Sequence, residues 1–423
     1  MNNKVLPRWS RLDNAAKIFP SNSSMRDSKV FRFVCELKDF INPVILQTAL
    51  DRAVEQFPFF QSVMKRGAFW YYLEESDIKP VVQKEYELPC IPLYDTNKES
   101  LLFRVLYYNK RVSVEIYHTL TDGTGALQFF RTLIYYYLLE RHCEEFTSIP
   151  SLDYDASWFQ KRDDSFQKYY EKPNGTKISK RKKAYCLNKE HLPDRQLSII
   201  EGKMSLKSLL ECSRSMGITI TELLTSLFIM AIHQEMNLRE QKEPIVITIP
   251  VNLRNYFPSE SARNFFTVIN AGYNFSYQED SLEVVASYIR QVFKEELKEE
   301  KLKEQMNVWS ALEHNILIRL LPLFVKDAIL RTAAFIMRRK TTASFSNVGR
   351  VSMPKEMEKY INLFTAYTSP DILQACSCSF GDNYVISFAS PFYSRDVERT
   401  FFRFLTQMGI EVEIAANKIE TGK

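Results

Sequence analysis

The chain has 423 residues, 45% of them apolar and 25% charged, the composition of a globular protein long enough for two domains with separate cores. A formal charge of +5 over that length is too mild for a nucleic-acid-binding protein. Seven cysteines, at positions 35, 90, 143, 186, 212, 376 and 378, are odd in number and lack metal-ligand spacing. The opening "MNNKVLPRWSRLDNAAKIFP" has no apolar core of the length a secretory signal needs. Reduced thiols, no metal and a cytoplasmic location are expected.

In chain order, "KVFRFVCELK" (29–38) is β-branched and aromatic and predicts a strand. "INPVILQTALDRAVEQFP" predicts a helix with Asn42 as N-cap and Pro43 first, where a missing N–H costs nothing. Its Leu46, Leu50, Ala53, Val54 and Phe57 recur at helical spacing. Three strand-like runs follow, "FWYYLEE", "LLFRVLYY" and "VSVEIYH", then a helix over 124–141 that is apolar almost all round and therefore expected to be deeply buried. From about 150 to 190 the chain turns polar and charged, with Pro173 and Gly175 inside it, and reads as a crossover.

The second half begins again with a strand, "RQLSIIEGKMS", and two helices, the second capped by Thr219 or Thr221. "PIVITIPVNLR" (244–254) and "FFTVINAGYNFSY" predict buried strands, 281–306 a charged helix with a solvated face, and 308–338 apolar helices. Within the last, "NILIRLLPLFVKDAILRTAAFIM" is interrupted by Arg319, Lys326 and Arg331. It falls short of the roughly 20 apolar residues of a membrane span and reads as a buried or partly surface-seeking helix pair. "KTTASFSNVGRVSMP", "ILQACSCSFGDNYVISFASP" and a helix from Asp396 close the chain. The expected organisation is an N-terminal lobe (1–170), a crossover linker (171–190) and a C-terminal lobe (191–423), each alternating strands and helices in the α/β class.

The chemistry concentrates in "YHTLTDGTGALQFF" (117–130). A neutral imidazole near pH 7 can take a proton from a hydroxyl or amine as that group attacks a carbonyl. His118 stands at a strand end, Asp122 follows four residues on, and Gly123 is expected to permit a backbone conformation that other residues avoid. Asp122 need not touch the imidazole. Its carboxylate is expected to pin the loop through an arginine, Arg254 first and Arg11 second.

"HTLTDG" fits the His-x-x-x-Asp-Gly signature of the superfamily that includes chloramphenicol acetyltransferase, plant BAHD acyltransferases, alcohol acetyltransferases and nonribosomal-peptide condensation domains. "RLDNAAKIFP", "PVNLRNYFPSESARNFF" and "SFSNVGRVSMP" resemble the opening stretch, arginine-bearing loop and Ser-Asn-x-Gly segment of the alcohol acetyltransferase-like branch. The likeness covers nearly the whole chain. Two features depart from relatives: the BAHD Asp-Phe-Gly-Trp-Gly segment is absent, and Tyr117 stands where condensation domains usually carry a second histidine.

The resemblance implies two chloramphenicol-acetyltransferase-like lobes, mixed sheets flanked by helices, and a channel between the lobes that donor and acceptor enter from opposite sides. It makes His118 the general base and Asp122 a structural partner. Ser346 and Asn347 become the candidates for the oxyanion segment, with Thr342, Ser344 and Ser346 alternating onto one strand face. The implied reaction moves an acyl group from a thioester, acyl-coenzyme A, to an alcohol or amine, with no tightly bound cofactor and no covalent acyl-enzyme. An acyl or peptidyl carrier protein as donor, docked on the basic run "KISKRKK" (177–183), and an idle binding protein on the same fold are the alternatives. "GTGALQ" lacks the third glycine of a dinucleotide fingerprint. The pair Cys376 and Cys378 reads as small buried strand residues. His142, His191, His233 and His314 read as structural or solvated.

Overall fold

In the computed structural model, which describes residues 9–146, 148–154, 156–172 and 183–419, the alternating strands and helices assemble around two mixed sheets. One has five strands in the order Ile361–Thr368, Val30–Leu37, Arg111–Tyr117, Phe103–Tyr108 and Gln83–Lys84. The other has seven: Phe266–Tyr273, Ile245–Asn252, Ala343–Arg350, Gln374–Phe380, Asn383–Ser390, Ser198–Ser205 and Glu413–Ala416. Ala343–Arg350 runs parallel to both its neighbours, and the other pairings in this sheet are antiparallel. A small three-stranded sheet joins Trp9–Arg11 to the hairpin Ser62–Arg66 and Tyr71–Glu75.

Local chemistry sets the helix starts. Asn42 accepts from the amides of Val44 and Ile45 at 3.0 and 3.3 Å, opening Pro43–Gln56 as its sequence predicts. Thr219, not Thr221, caps Ile220–His233, and Glu222 returns a bond to the Thr219 amide, a reciprocal capping box. The helix Gly123–Arg141 packs Phe129, Phe130, Leu133 and Ile134 at zero exposure against the five-stranded sheet and Pro43–Gln56. Burying each such ring or aliphatic chain contributes about 1.5–3 kcal/mol. A second core gathers Phe228, Phe265, Phe345, Phe388 and Phe401 behind the seven-stranded sheet.

Two placements depend on pairing over long stretches of chain. Strand Ile361–Thr368, from the second half, lies in the five-stranded sheet and pairs antiparallel with Val30–Leu37, Thr368 opposite Phe31. Glu115, on the polar phase of the strand Arg111–Tyr117, is nevertheless fully buried between Arg32 and Arg104, whose Nε atoms donate to it at 2.8 and 2.7 Å.

The charged 281–306 segment is part of two helices, Leu282–Glu296 and Glu299–His314. The first turns Val285, Ala286, Ile289 and Phe293 inward, flanks them with half-buried Leu282, Tyr288 and Val292, and sets most of its charged residues outward. The apolar pair Ile316–Leu320 and Leu323–Arg338 is of the surface-seeking kind. In the longer helix only Leu323, Lys326 and Asp327 are buried. No single helix among the described residues is long and apolar enough to cross a membrane.

Candidate active site

A cavity of about 810 Å³ lies between the two sheets, lined from the first half by Phe19, Phe31 and His118 and from the second by Val251, Phe266 and Ser346. His118 follows the last residue of strand Arg111–Tyr117 and sits against it. Its amide donates to the Lys29 carbonyl at 2.9 Å. Lys29 itself adopts φ +57°, the left-handed region that a side chain normally avoids, and is held there by an ion pair to Asp27.

Aromatic rings enclose the imidazole. Phe19 stacks on it at 4.5 Å between centroids, Phe31 meets it edge-on at 5.0 Å, and Phe266 lies 5.5 Å away. This burial holds the His118 pKa below the ordinary histidine value, against an opposing pull from the Asp122 charge. The imidazole is therefore neutral near pH 7.

Its tautomer follows from the neighbouring amide. His118 Nδ1 lies 3.2 Å from Asn264 Oδ1, while Asn264 Nδ2 donates to Asp13 at 3.2 Å. With the amide hydrogens turned to Asp13, the amide oxygen faces the ring and can only accept. Nδ1 thus carries the hydrogen and Nε2 the lone pair. Asp13 is almost completely buried. It also receives the Ala16 and Asn264 amides at 2.8 and 3.3 Å, and lies 3.7 Å from Arg263 Nε. Burial pushes its carboxyl up to about 6, with Arg263 opposing.

Asp122 turns away from the imidazole and builds the loop. Its Oδ1 accepts from the Gly125 amide at 2.9 Å, capping the helix. Its Oδ2 accepts from Arg254 Nη1 at 2.7 Å and from the Phe265 amide at 2.8 Å. Arg254 is thus the partner of Asp122. The alternative, Arg11, instead offers its carbonyl to Arg263. Arg254 also donates to the carbonyls of Ser261 and Arg263, so one buried guanidinium ties the His118 loop to the 261–265 segment.

Gly123 departs from expectation. It is the first helical residue, lies outside the left-handed region, and has open space where a side chain would stand. The constrained glycine is Gly125, where a Cβ would overlap the Ala262 carbonyl oxygen and the Thr121 hydroxyl. The helix start packs directly on the second-half loop, which only a bare Cα permits.

The strand Ala343–Arg350 forms the facing wall. Ser346, Asn347 and Gly349 line the cavity. Asn347 is committed to structure: its Nδ2 donates to Thr221 Oγ1 at 2.8 Å, and its Oδ1 accepts from the Gly349 amide at 2.9 Å, stabilising a bulge in the strand with Gly349 at φ +86°. The Ser346 hydroxyl has no side-chain hydrogen bond among the described residues. Ser344 pairs with Thr248 and Gln374 along the sheet and is not part of the cavity lining, and Thr342 is buried against the Tyr185 carbonyl.

Cys376 and Cys378 are buried free thiols, and no group of three or more potential metal ligands occurs among the described residues. His142, His233 and His314 stack on Tyr360, Phe275 and Tyr170, away from His118, and His191 packs edge-on against Phe392. Of the basic run 177–183 only Lys183 lies among the described residues, paired with Glu243 at 2.6 Å.

The family model for alcohol acetyltransferases matches residues 151–368. No curated protein matches the sequence. Among solved structures, the fold is similar to TRI101 of Fusarium graminearum, complexed with coenzyme A and deoxynivalenol, at TM-score 0.65 and 11% identity over 96% of this chain and 99% of that one. It is similar to polyketide synthase associated protein 5 of Mycobacterium tuberculosis at TM-score 0.59 and 13% identity, covering 93% and 96%. The first condensation domain of the CDA synthetase matches at TM-score 0.60 and 12% identity, covering 96% and 97%. At these identities the likeness is one of fold: two lobes of mixed sheet flanked by helices.

Proposed function

We propose that this chain, which belongs to the alcohol acetyltransferase family, moves an acyl group from acyl-coenzyme A to the hydroxyl or amine of a small-molecule acceptor, with His118 as general base. The observation that carries the reading is the pinned, neutral imidazole: Nδ1 held by Asn264 and the ring buried among Phe19, Phe31 and Phe266 at a cavity lined from both halves. TRI101, similar in fold, has been crystallised with coenzyme A and a small acceptor together.

In the proposed reaction, His118 Nε2 takes the proton from the acceptor as its oxygen or nitrogen attacks the thioester carbonyl. The new bond turns the carbonyl into an oxyanion, and the Ser346 hydroxyl donates to it. As the carbon–sulfur bond breaks, the imidazolium returns the proton to the thiolate, so that His118 ends as it began. Asp122 and Arg254 act at a distance, by fixing the loop. The aromatic lining suits an acceptor with an apolar body.

The test is free-thiol release from a panel of acyl-coenzyme A donors against mixed alcohols and amines. Release that requires both an acceptor and His118 is expected, and His118→Ala should fall by about 10²–10⁴-fold with the fold intact by circular dichroism. Near-normal turnover by that variant would overturn the mechanism.

A further inference from the structure

The helix pair Ile316–Leu320 and Leu323–Arg338 presents an apolar surface that the fold leaves uncovered. Ile316, Leu317, Leu320 and Phe324 are 67–77% exposed, more than packing against the rest of the chain would leave. Phe335 continues the ridge, more than half exposed, and Phe69, on the neighbouring hairpin, extends it beyond Leu323, whose amide donates to the Ala68 carbonyl. Contiguous exposed apolar surface of this kind marks a site of interaction.

Charge selects the occupant. Between residues 316 and 340 the basic residues are Arg319, Lys326, Arg331, Arg338, Arg339 and Lys340, six against the single acid Asp327. Asp327 is buried and accepts from the Tyr71 hydroxyl at 3.0 Å, and Lys326 is turned inward over the Trp70 ring. Arg331 and Arg338 are engaged by the Ser21 carbonyl and Asp371, so the outward face is apolar with a basic fringe of Arg319, Arg339 and Lys340. A second copy would bring like charges together. The segments 1–8, 173–182 and 420–423 carry only Met1, Val5, Leu6 and Ile178 as large apolar residues, too few to cover the ridge. An anionic bilayer surface satisfies both features, taking the aliphatic chains below its headgroups and the arginines among its phosphates.

We infer that this two-helix ridge docks the protein on an anionic lipid surface. The ridge is tied to the cavity wall at two points: Arg331 donates to the Ser21 carbonyl, in the short helix that carries Phe19, and Arg338 pairs with Asp371, a cavity-lining residue, at 2.9 Å. Docking therefore holds the cavity beside the membrane. The docking stands independently of the proposed acyltransfer; that a membrane-partitioned acceptor reaches His118 this way rests on it.

The experiment is co-sedimentation of the full chain with phosphatidylglycerol–phosphatidylcholine vesicles and with pure phosphatidylcholine vesicles. The wild type should pellet with the anionic vesicles and release them at high salt. The triple variant Leu317→Asp, Leu320→Asp, Phe324→Asp should bind at least about tenfold more weakly, with thiol release on a water-soluble acceptor unchanged. The milder pair Arg319→Gln, Lys340→Gln should weaken binding to anionic vesicles by about fivefold per charge while leaving the apolar side chains in place. A wild type that stays in the supernatant overturns the docking, as does binding indifferent to all five substitutions. A dimer that the triple variant dissociates, without vesicle binding, assigns the face to a second copy and overturns it equally. Vesicle binding without thiol release would leave the docking standing and sink the acyltransfer.

Discussion

The two walls of the cavity are built on opposite terms. On the His118 side almost every polar atom is engaged: both Asp122 oxygens, the Arg254 guanidinium, the Asn264 amide and the Asp13 carboxylate form a connected buried network. On the facing strand, Asn347 is fixed between Thr221 and Gly349, while the Ser346 hydroxyl beside it is uncommitted. A group that must take a proton in one geometry benefits from such over-determination, because misplacement by even an ångström is costly. A hydroxyl that stabilises a transient charge must be left available until that charge appears.

The first wall is the more sensitive to the loss of one partner. Arg254→Ala leaves the Asp122 carboxylate buried without its counter-ion, and should cost about 3–5 kcal/mol of stability, read as a lower midpoint in urea unfolding. An unchanged midpoint would mean the loop is held by the amide bonds alone. At the second wall, Ser346→Ala should leave stability nearly unchanged and reduce kcat by about 10²-fold with KM little altered. Equal loss in kcat and in thermal stability would make Ser346 a structural residue like its neighbour Asn347.

Asn264 sharpens the contrast through pH. The His118 pKa lies below 6.5 because of burial, so the active neutral base persists as pH falls toward that value, and activity drops only beneath it. Asn264→Ala removes a bond that favours the charged ring, and should move this acidic limb further down while lowering kcat about tenfold through lost orientation. Asn264→Asp places a carboxylate charge opposite Nδ1 and should move the limb up. A profile that ignores both variants would separate Asn264 from the base. The smallest effect is expected at Gly123→Ala, which meets no neighbouring atom and should stabilise the helix by up to about 1 kcal/mol, whereas Gly125→Ala should be strongly destabilising.

Much of the first wall is legible in the sequence, because its members fall in short local signals. A strand end, a histidine, a capping aspartate and an apolar helix sit within one stretch, and Arg254 stands in the short turn Leu253–Asn255 that follows the strand Ile245–Asn252. Asn264 and Asp13 are different. Asn264 meets His118 across 146 residues of sequence and Asp13 across 251, and neither residue type is distinctive by itself. Gly125 was hidden by Gly123: the Asp-Gly pair suggests a turn, and only the approach of Ala262 shows where a side chain is forbidden. Glu115 likewise passes for the polar phase of an alternating strand until Arg32 and Arg104 close on it.

The strand Ile361–Thr368 has a consequence for how the protein comes into being. During synthesis, a nascent chain that has not yet reached residue 361 leaves Val30–Leu37 as an open sheet edge, since the strand that covers it is encoded far downstream, past the crossover. The five-stranded sheet therefore waits for the intervening second-half sheet strands and helices to be made before its last rung is set, a long-range closure of the slow kind. Cutting the gene at the polar crossover would leave the first piece without the edge strand of its sheet and the second with that strand unpaired, and co-expression of the pieces, rather than either one alone, is the arrangement in which the cavity could form.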